Sequence, residues 1–319
     1  MEKQLLSMVE AQPPARLARR SDPSAHPPLS EAFGPSLARS RNFFGNQIVY
    51  ALISQRAHGL SIGVNMNPDK FCNFDCVYCE VDRREREPEA RVNVETLSAE
   101  LAAMLGRVRG RRVRELPGCE SLPEELLALK EVALSGDGEP TLCPNFTEVV
   151  ETVVHLRAQG TLPFFKIVLI TNATGLHLSE VQRGLPLLTH QDEIWAKLDV
   201  GSQEAMDQIN RPKASPRSGP APSLDRVLEN IRALGRQRPV VIQSLIPLFE
   251  GREPSPDEVE RYIQRLLELK EGGAQIALVQ VYSAHRPAVN ANCGHLRLRS
   301  LSRIVSSVRQ STGLRAEVF

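Results

Sequence analysis

The stretch Cys72-Asn73-Phe74-Asp75-Cys76-Val77-Tyr78-Cys79 decides the reading of this chain. Three thiols fall within eight positions on a polar segment, shortly after the apolar run Leu60 to Asn65 and Pro68. Thiolates this close on one loop can wrap a compact iron-sulfur cluster. A four-iron cubane needs four ligands and the loop offers three, which leaves one iron open. A structural zinc site needs a fourth Cys or His, usually from a second C-x-x-C knuckle, and the sequence has no second one. Unmetallated core cysteines are a weaker alternative, because Asn73 and Asp75 interrupt any apolar pattern. Cys119, Cys143 and Cys293 are scattered, which does not suit a disulfide framework in a chain of 319 residues.

Outward from the loop, short apolar runs alternate with helical periodicity. Leu60 to Asn65, Glu131 to Ser135, Lys166 to Thr171, Glu193 to Asp199, Pro239 to Ile246 and Ile276 to Tyr282 read as strands. Between them, Leu97, Leu101, Leu105 and Val108 form one helical stripe, and Phe146, Val149, Val150 and Val153 form another behind an Asn145 to Glu148 capping signature. Ser223 and Ser255 cap two later helices. The alternation predicts an α/β fold, a partial (β/α)6 TIM-like barrel of parallel strands, with a doubly wound open sheet as the competing architecture. Residues 1–40, rich in Pro, Ala, Ser and Arg, are expected to form a flexible N-terminal extension. The core is expected over 41–290, and a C-terminal helix and strand decoration over 291–319.

Composition excludes more than it selects. With 41% hydrophobic and 24% charged residues and a formal charge of +1, the chain carries no global field toward nucleic acid or acidic membrane. No apolar run approaches the roughly 18 residues of a spanning helix, so no membrane span is expected. Glu2, Lys3 and Gln4 open the sequence without a secretory pattern, which makes a cytoplasmic location the expectation. The loops Asp82 to Arg91 and Arg211 to Pro222, and the basic patch Arg107 to Arg114, read as solvated.

The ends of the strands carry the other candidates. Ser135-Gly136-Asp137-Gly138-Glu139-Pro140-Thr141 follows the second strand, where Gly138 lets backbone approach a ligand and Glu139 can accept from a cationic amine. Thr171 and Asn172 end the third strand. Lys197 and Asp199 share a face near the end of the fourth, either as a structural ion pair or facing a ligand. Gln243 and Ser244 in the fifth, and Tyr282, Ser283 and His285 at the sixth, are polar positions with no assigned role, and no residue is singled out as catalytic.

The cysteine loop, with Tyr78 just before the third Cys, resembles the cluster-binding motif of the radical S-adenosylmethionine (radical SAM) superfamily. Gly63-Val64-Asn65, Gly138-Glu139-Pro140, Thr171-Asn172-Ala173, Lys197-Leu198-Asp199 and Ile209-Asn210-Arg211-Pro212 follow in order, and resemble the branch of wyosine-type tRNA enzymes and related iron-sulfur oxidoreductases. The resemblance implies a [4Fe-4S] cluster on Cys72, Cys76 and Cys79. It further implies S-adenosyl-L-methionine held by Tyr78, Gly138, Glu139, Thr171, Asn172, Lys197 and Asp199, and a 5'-deoxyadenosyl radical that abstracts hydrogen from an RNA, protein or small-molecule substrate. An external one-electron donor such as flavodoxin or ferredoxin is implied as partner. An electron carrier, which needs four protein ligands, and a zinc-stabilised binding module are the alternatives from other classes.

Overall fold

A computed structural model describes residues 45–84, 89–116, 118–284 and 287–319. The expected extension over 1–40, part of the Asp82 to Arg91 loop and His285 lie outside them. The six expected strands all form: β2 (Gly59–Asn65), β3 (Leu129–Ser135), β4 (Lys166–Thr171), β5 (Glu193–Lys197), β6 (Val240–Leu245) and β8 (Ile276–Tyr282). They pair in parallel in that order. Two further strands join the sheet. β1 (Val49–Ser54), which the apolar pattern did not announce, pairs antiparallel with β2, and β10 (Ala316–Val318), within the stretch expected to carry a helix and strand, pairs parallel with β8, giving eight strands among the described residues. Two short strands, β7 (Leu248–Phe249) and β9 (Cys293–Gly294), make a separate ribbon.

Helices α1 (Val94–Arg109), α2 (Phe146–Ala158), α3 (Ser179–Gly184), α4 (Gln203–Ile209), α5 (Leu224–Gln237), α6 (Pro256–Glu271) and α7 (Leu298–Thr312) intervene. Ser223 and Ser255 cap α5 and α6 through their hydroxyls, as their sequence contexts require. Asn145 departs from the expected capping box. Its side chain accepts from Val92 N–H at 3.0 Å and donates to Val92 O at 2.9 Å, because that buried backbone has no ladder partner and outcompetes the helix end.

Alternate strand residues divide two environments. Ile62, Val132, Ile167, Ile194, Ile242 and Val279 pack with the helices in the main core, whereas Val168, Trp195 and Val241 cluster on the opposite face. That face is concave: His58, in the β1–β2 turn, and Phe319, beyond β10, lie 5.9 Å apart between ring centroids, so the outer parts of the sheet curl toward each other. The architecture is the α/β partial barrel expected, and its C-terminal strand ends gather at one mouth.

At the opposite end, Asp192 accepts from Arg157 at 2.5 and 2.9 Å, from Ile167 N–H at 2.8 Å and from Thr189 N–H at 2.8 Å. Burial works against its charge, but these donors hold the carboxyl below the usual range. Arg157→Met leaves a buried carboxylate unpaired and is expected to cost about 3 kcal/mol in chemical denaturation at pH 7. Because a lowered folded pKa contributes stability that is full above the unfolded value of about 3.9 and is lost as pH falls through the folded value, the penalty should shrink below about pH 3.9.

Candidate functional site

The cysteine loop leaves β2 at Asn65 and runs without a ladder of its own, so its backbone is satisfied by other segments. Glu139 N–H donates to Phe71 O at 2.9 Å, and Lys213 N–H to Asn73 O at 2.8 Å. Asp75 N–H donates to Asn210 O and Val77 N–H to Ile209 O, both at 2.9 Å, while Val289 N–H reaches Cys79 O at 2.9 Å. Lys213 pairs with Asp75 at 2.8 Å, and Arg217 pairs with Asp69 at 2.7 Å while stacking on Phe71. The segment after Asn210 is therefore a clamp on the cysteine loop. Residues 211–222 are exposed or half-buried, as the solvated reading expects, and Lys213 and Arg217 within them also dock on the cysteine loop.

Cys72, Cys76 and Cys79 line one cavity of about 440 Å³, with Arg83 and Arg211 on its wall. Each sulfur meets an N–H donor. Cys72 Sγ accepts from Phe74 N–H at 3.4 Å, with Asn172 Nδ2 at 3.9 Å. Asn210 Nδ2 lies 3.6 Å from Cys76 Sγ, and Arg83 Nη1 3.0 Å from Cys79 Sγ. Arg83 also donates to Lys70 O at 3.1 Å and Asp137 O at 3.0 Å. Burial raises the Cys72 thiol strongly and, helped by the Asp199 charge, pushes Cys76 up to about 11. Burial also opposes the Arg83 charge, but Cys79 and Cys72 outweigh it. The metal must thus displace the thiol protons. Among the described residues no trio of His, Cys, Asp and Glu converges as a single ion requires. A cubane instead keeps its thiolates at separate corners, so the donor set fits a four-iron cluster.

The other expected residues do not line this cavity, and several of them are already engaged by one another or by the cysteine loop. Glu139 is 2% exposed and accepts from Thr141 N–H at 3.0 Å, Thr141 Oγ1 at 2.6 Å, Asn172 N–H at 2.7 Å and the Thr171 hydroxyl. Its burial raises its pKa against these bonds. Asn172 also donates to Asn73 Oδ1 at 3.0 Å. Gly138 has no room for a side chain, since a Cβ would sit 1.8 Å from Phe71 O; its smallness serves the docking of the cysteine loop. Asp199 accepts from Leu245 N–H and Asn210 Nδ2, both at 2.8 Å, and from the Tyr78 hydroxyl. Lys197 Nζ lies 3.7 Å from Asp199, 3.4 Å from Tyr282 Oη and 5.0 Å over the Tyr78 ring. Burial opposes its charge, but Asp199 holds the ammonium's pKa above the usual range. The two are ion-paired, as the structural reading has it, and both act electrostatically on Cys76.

Arg83 and Asn210 were missed as functional positions. Arg83 follows Cys79 by four residues inside a run of mixed charge, and Asn210 sits 134 positions from the sulfur it meets. Only the Ile209 to Pro212 motif pointed to the latter.

A family model described as the Radical SAM superfamily matches residues 66–266, and the chain belongs to that superfamily. Its proteins bind a [4Fe-4S] cluster and S-adenosylmethionine. A UPF0026 protein of Synechocystis is 30% identical over 168 residues, 52% of this chain and 53% of that protein, so the match spans about half the relative's length. Streptococcus suis SuiB bound to S-adenosylmethionine aligns with a TM-score of 0.52 and 13% identity, over 79% of this chain and 49% of SuiB. A cysteine-to-serine mutant of spore photoproduct lyase aligns with a TM-score of 0.54 and 12% identity, over 88% of this chain and 79% of the lyase. At these identities the likeness concerns the fold. Among the described residues no helix is long and apolar enough to cross a membrane.

Gly138→Ala should displace the Phe71 carbonyl, cost about 3 kcal/mol and lower iron incorporation, read by denaturation and by iron content after anaerobic reconstitution.

Proposed function

We propose that this chain cleaves S-adenosylmethionine reductively at a [4Fe-4S] cluster held by Cys72, Cys76 and Cys79. The observation that carries this reading is one cavity lined by all three cysteines, each sulfur met by an N–H donor, on the loop that leaves the C-terminal end of β2. When bound, the cluster supplies one electron to the sulfonium, giving a 5'-deoxyadenosyl radical that takes hydrogen from the substrate. The electron comes from an external donor, a flavodoxin or ferredoxin.

The chain's residues do the holding and orienting. Lys197, cationic beside Asp199 and Tyr78, faces the cofactor carboxylate. Glu139 braces the Gly-Glu-Pro turn against Thr171 and Asn172, so that the backbone on either side of Gly138 can meet the cofactor amine. The Tyr78 and Asp199 oxygens are engaged with each other and with Asn210 rather than free. Val289 N–H holds the Cys79 carbonyl and so helps fix the third cysteine in place.

After anaerobic reconstitution and reduction, the protein should convert S-adenosylmethionine to 5'-deoxyadenosine, and Cys76→Ala should abolish the product. Cleavage that persists in Cys76→Ala would sink the ligand assignment, and a confirmed four-iron cluster without cleavage would sink the reading. Arg83→Gln removes a positive charge that favours the reduced, more negative cluster. Its midpoint potential in an EPR-monitored titration should fall, by about 59 mV for a tenfold change in the one-electron equilibrium.

A further inference from the structure

The concave face of the sheet holds polar groups that the cluster cavity does not use. Register places Ile170, Trp195, Val241 and Leu278 in one row across β4, β5, β6 and β8, and Lys197, Gln243 and Gln280 in the row nearer the mouth. Gln243 faces inward, because the adjacent Ile242 lies in the helix-side core and the Ser244 hydroxyl bonds Tyr262 of α6. The same parity turns Gln280 inward, since Val279 and Val281 belong to that core. Gln243 is 1% exposed and Gln280 2%, yet Gln243 Nε2 and Gln280 Oε1 have no hydrogen-bond partner. Neighbouring strands lie about 4.8 Å apart, so an unmatched donor and an unmatched acceptor sit side by side.

Arg56 enters the same face from the β1–β2 turn. Its guanidinium lies 4.5 Å over the Tyr282 ring and 5.8 Å from the Trp195 ring centroid, and Tyr282 follows Gln280 by two residues on one face. Stacking fixes a guanidinium without consuming its N–H donors. Its Nε is buried without a partner, and among the described residues Arg56 makes no ion pair. Glu131 is the acid that feels Arg56, yet burial raises its pKa and its Oε2 also has no hydrogen-bond partner. Each unmatched buried group destabilises the chain, and a complementary ligand removes that cost.

We propose that Arg56, Gln243 and Gln280 form a carboxylate subsite for the substrate of the radical reaction. The substrate is a small hydroxy- or amino-acid-like molecule, with its carboxylate on Arg56 and the Gln243 amide and its neighbouring O–H or N–H on Gln280. The assignment rests on the proposed radical reaction only in calling the ligand a substrate.

Trp195, the single tryptophan of the chain, lies against Arg56 and reports occupancy by its fluorescence. The full-length chain is titrated with lactate, with the neutral isostere lactamide and with inorganic phosphate. Lactate should give a saturable change, lactamide should bind at least about tenfold more weakly, and Arg56→Met should lose the lactate response. Gln243→Leu and Gln280→Leu should each weaken lactate several-fold. Arg56→Lys, which keeps the charge, should retain weakened binding and serves if Arg56→Met does not fold. Equal responses to lactate and lactamide, an unchanged Arg56→Met, a response to phosphate alone, or no response to any probe would each overturn the proposal. The readout needs neither electron donor nor S-adenosylmethionine, so a failure of reductive cleavage with lactate binding intact would count against the radical reading alone.

Discussion

The buried backbone of the cysteine loop must find its hydrogen bonds outside itself, and much of the site is arranged around that requirement. Phe71, Asn73, Asp75, Val77 and Cys79 reach Glu139, Lys213, Asn210, Ile209 and Val289, residues from three distant stretches of the chain. Each of those stretches is itself anchored at the end of a strand or helix, so the thiols are placed by the sheet even though none lies in it. The requirement also accounts for Gly138: the carbonyl of Phe71 occupies the space where a Cβ would stand. A loop held this way can keep three sulfurs facing one cavity before any iron arrives, which lowers the ordering cost of metal binding.

What the sequence disclosed follows from the physics of each element. β2 and β6 are buried along their whole length, so they appear as unbroken apolar runs such as Val240 to Ile242. β1 is a half-buried edge strand, so no unbroken apolar run marks it. In the site, the residue types that do chemistry were legible because thiols at close spacing and charged groups at strand ends are costly without a purpose. Their supports were not. Nothing local distinguishes Asn210 from an ordinary helix-end asparagine, and Arg83 sits among other charged residues. Glu139 was legible from its motif, and its carboxylate accepts from Thr141, Thr171 and Asn172.

The two faces of the sheet answer to different demands. Toward the helices, close packing of aliphatic side chains fixes the strands. Toward the concavity, an apolar row around Trp195 is followed nearer the mouth by Lys197, Gln243 and Gln280. Polar groups there would be poor choices for stability alone, since aliphatic residues could fill the same positions. Of these, Lys197 stands near enough to Cys76 to act on its charge.

Charge around the sulfurs is balanced rather than minimised. Asp199 raises the Cys76 thiol and Glu139 raises Cys72, while Lys197 lowers the one and Arg83 the other. The field that resists a thiolate also resists an added electron, so the two carboxylates pull the cluster potential down and the two cations pull it up. All four are buried or half-buried and hydrogen-bonded to the chain, which keeps the balance from relaxing when an electron arrives. A low-potential centre needs that fixity: mobile dipoles would reorganise toward the added charge and slow its onward transfer.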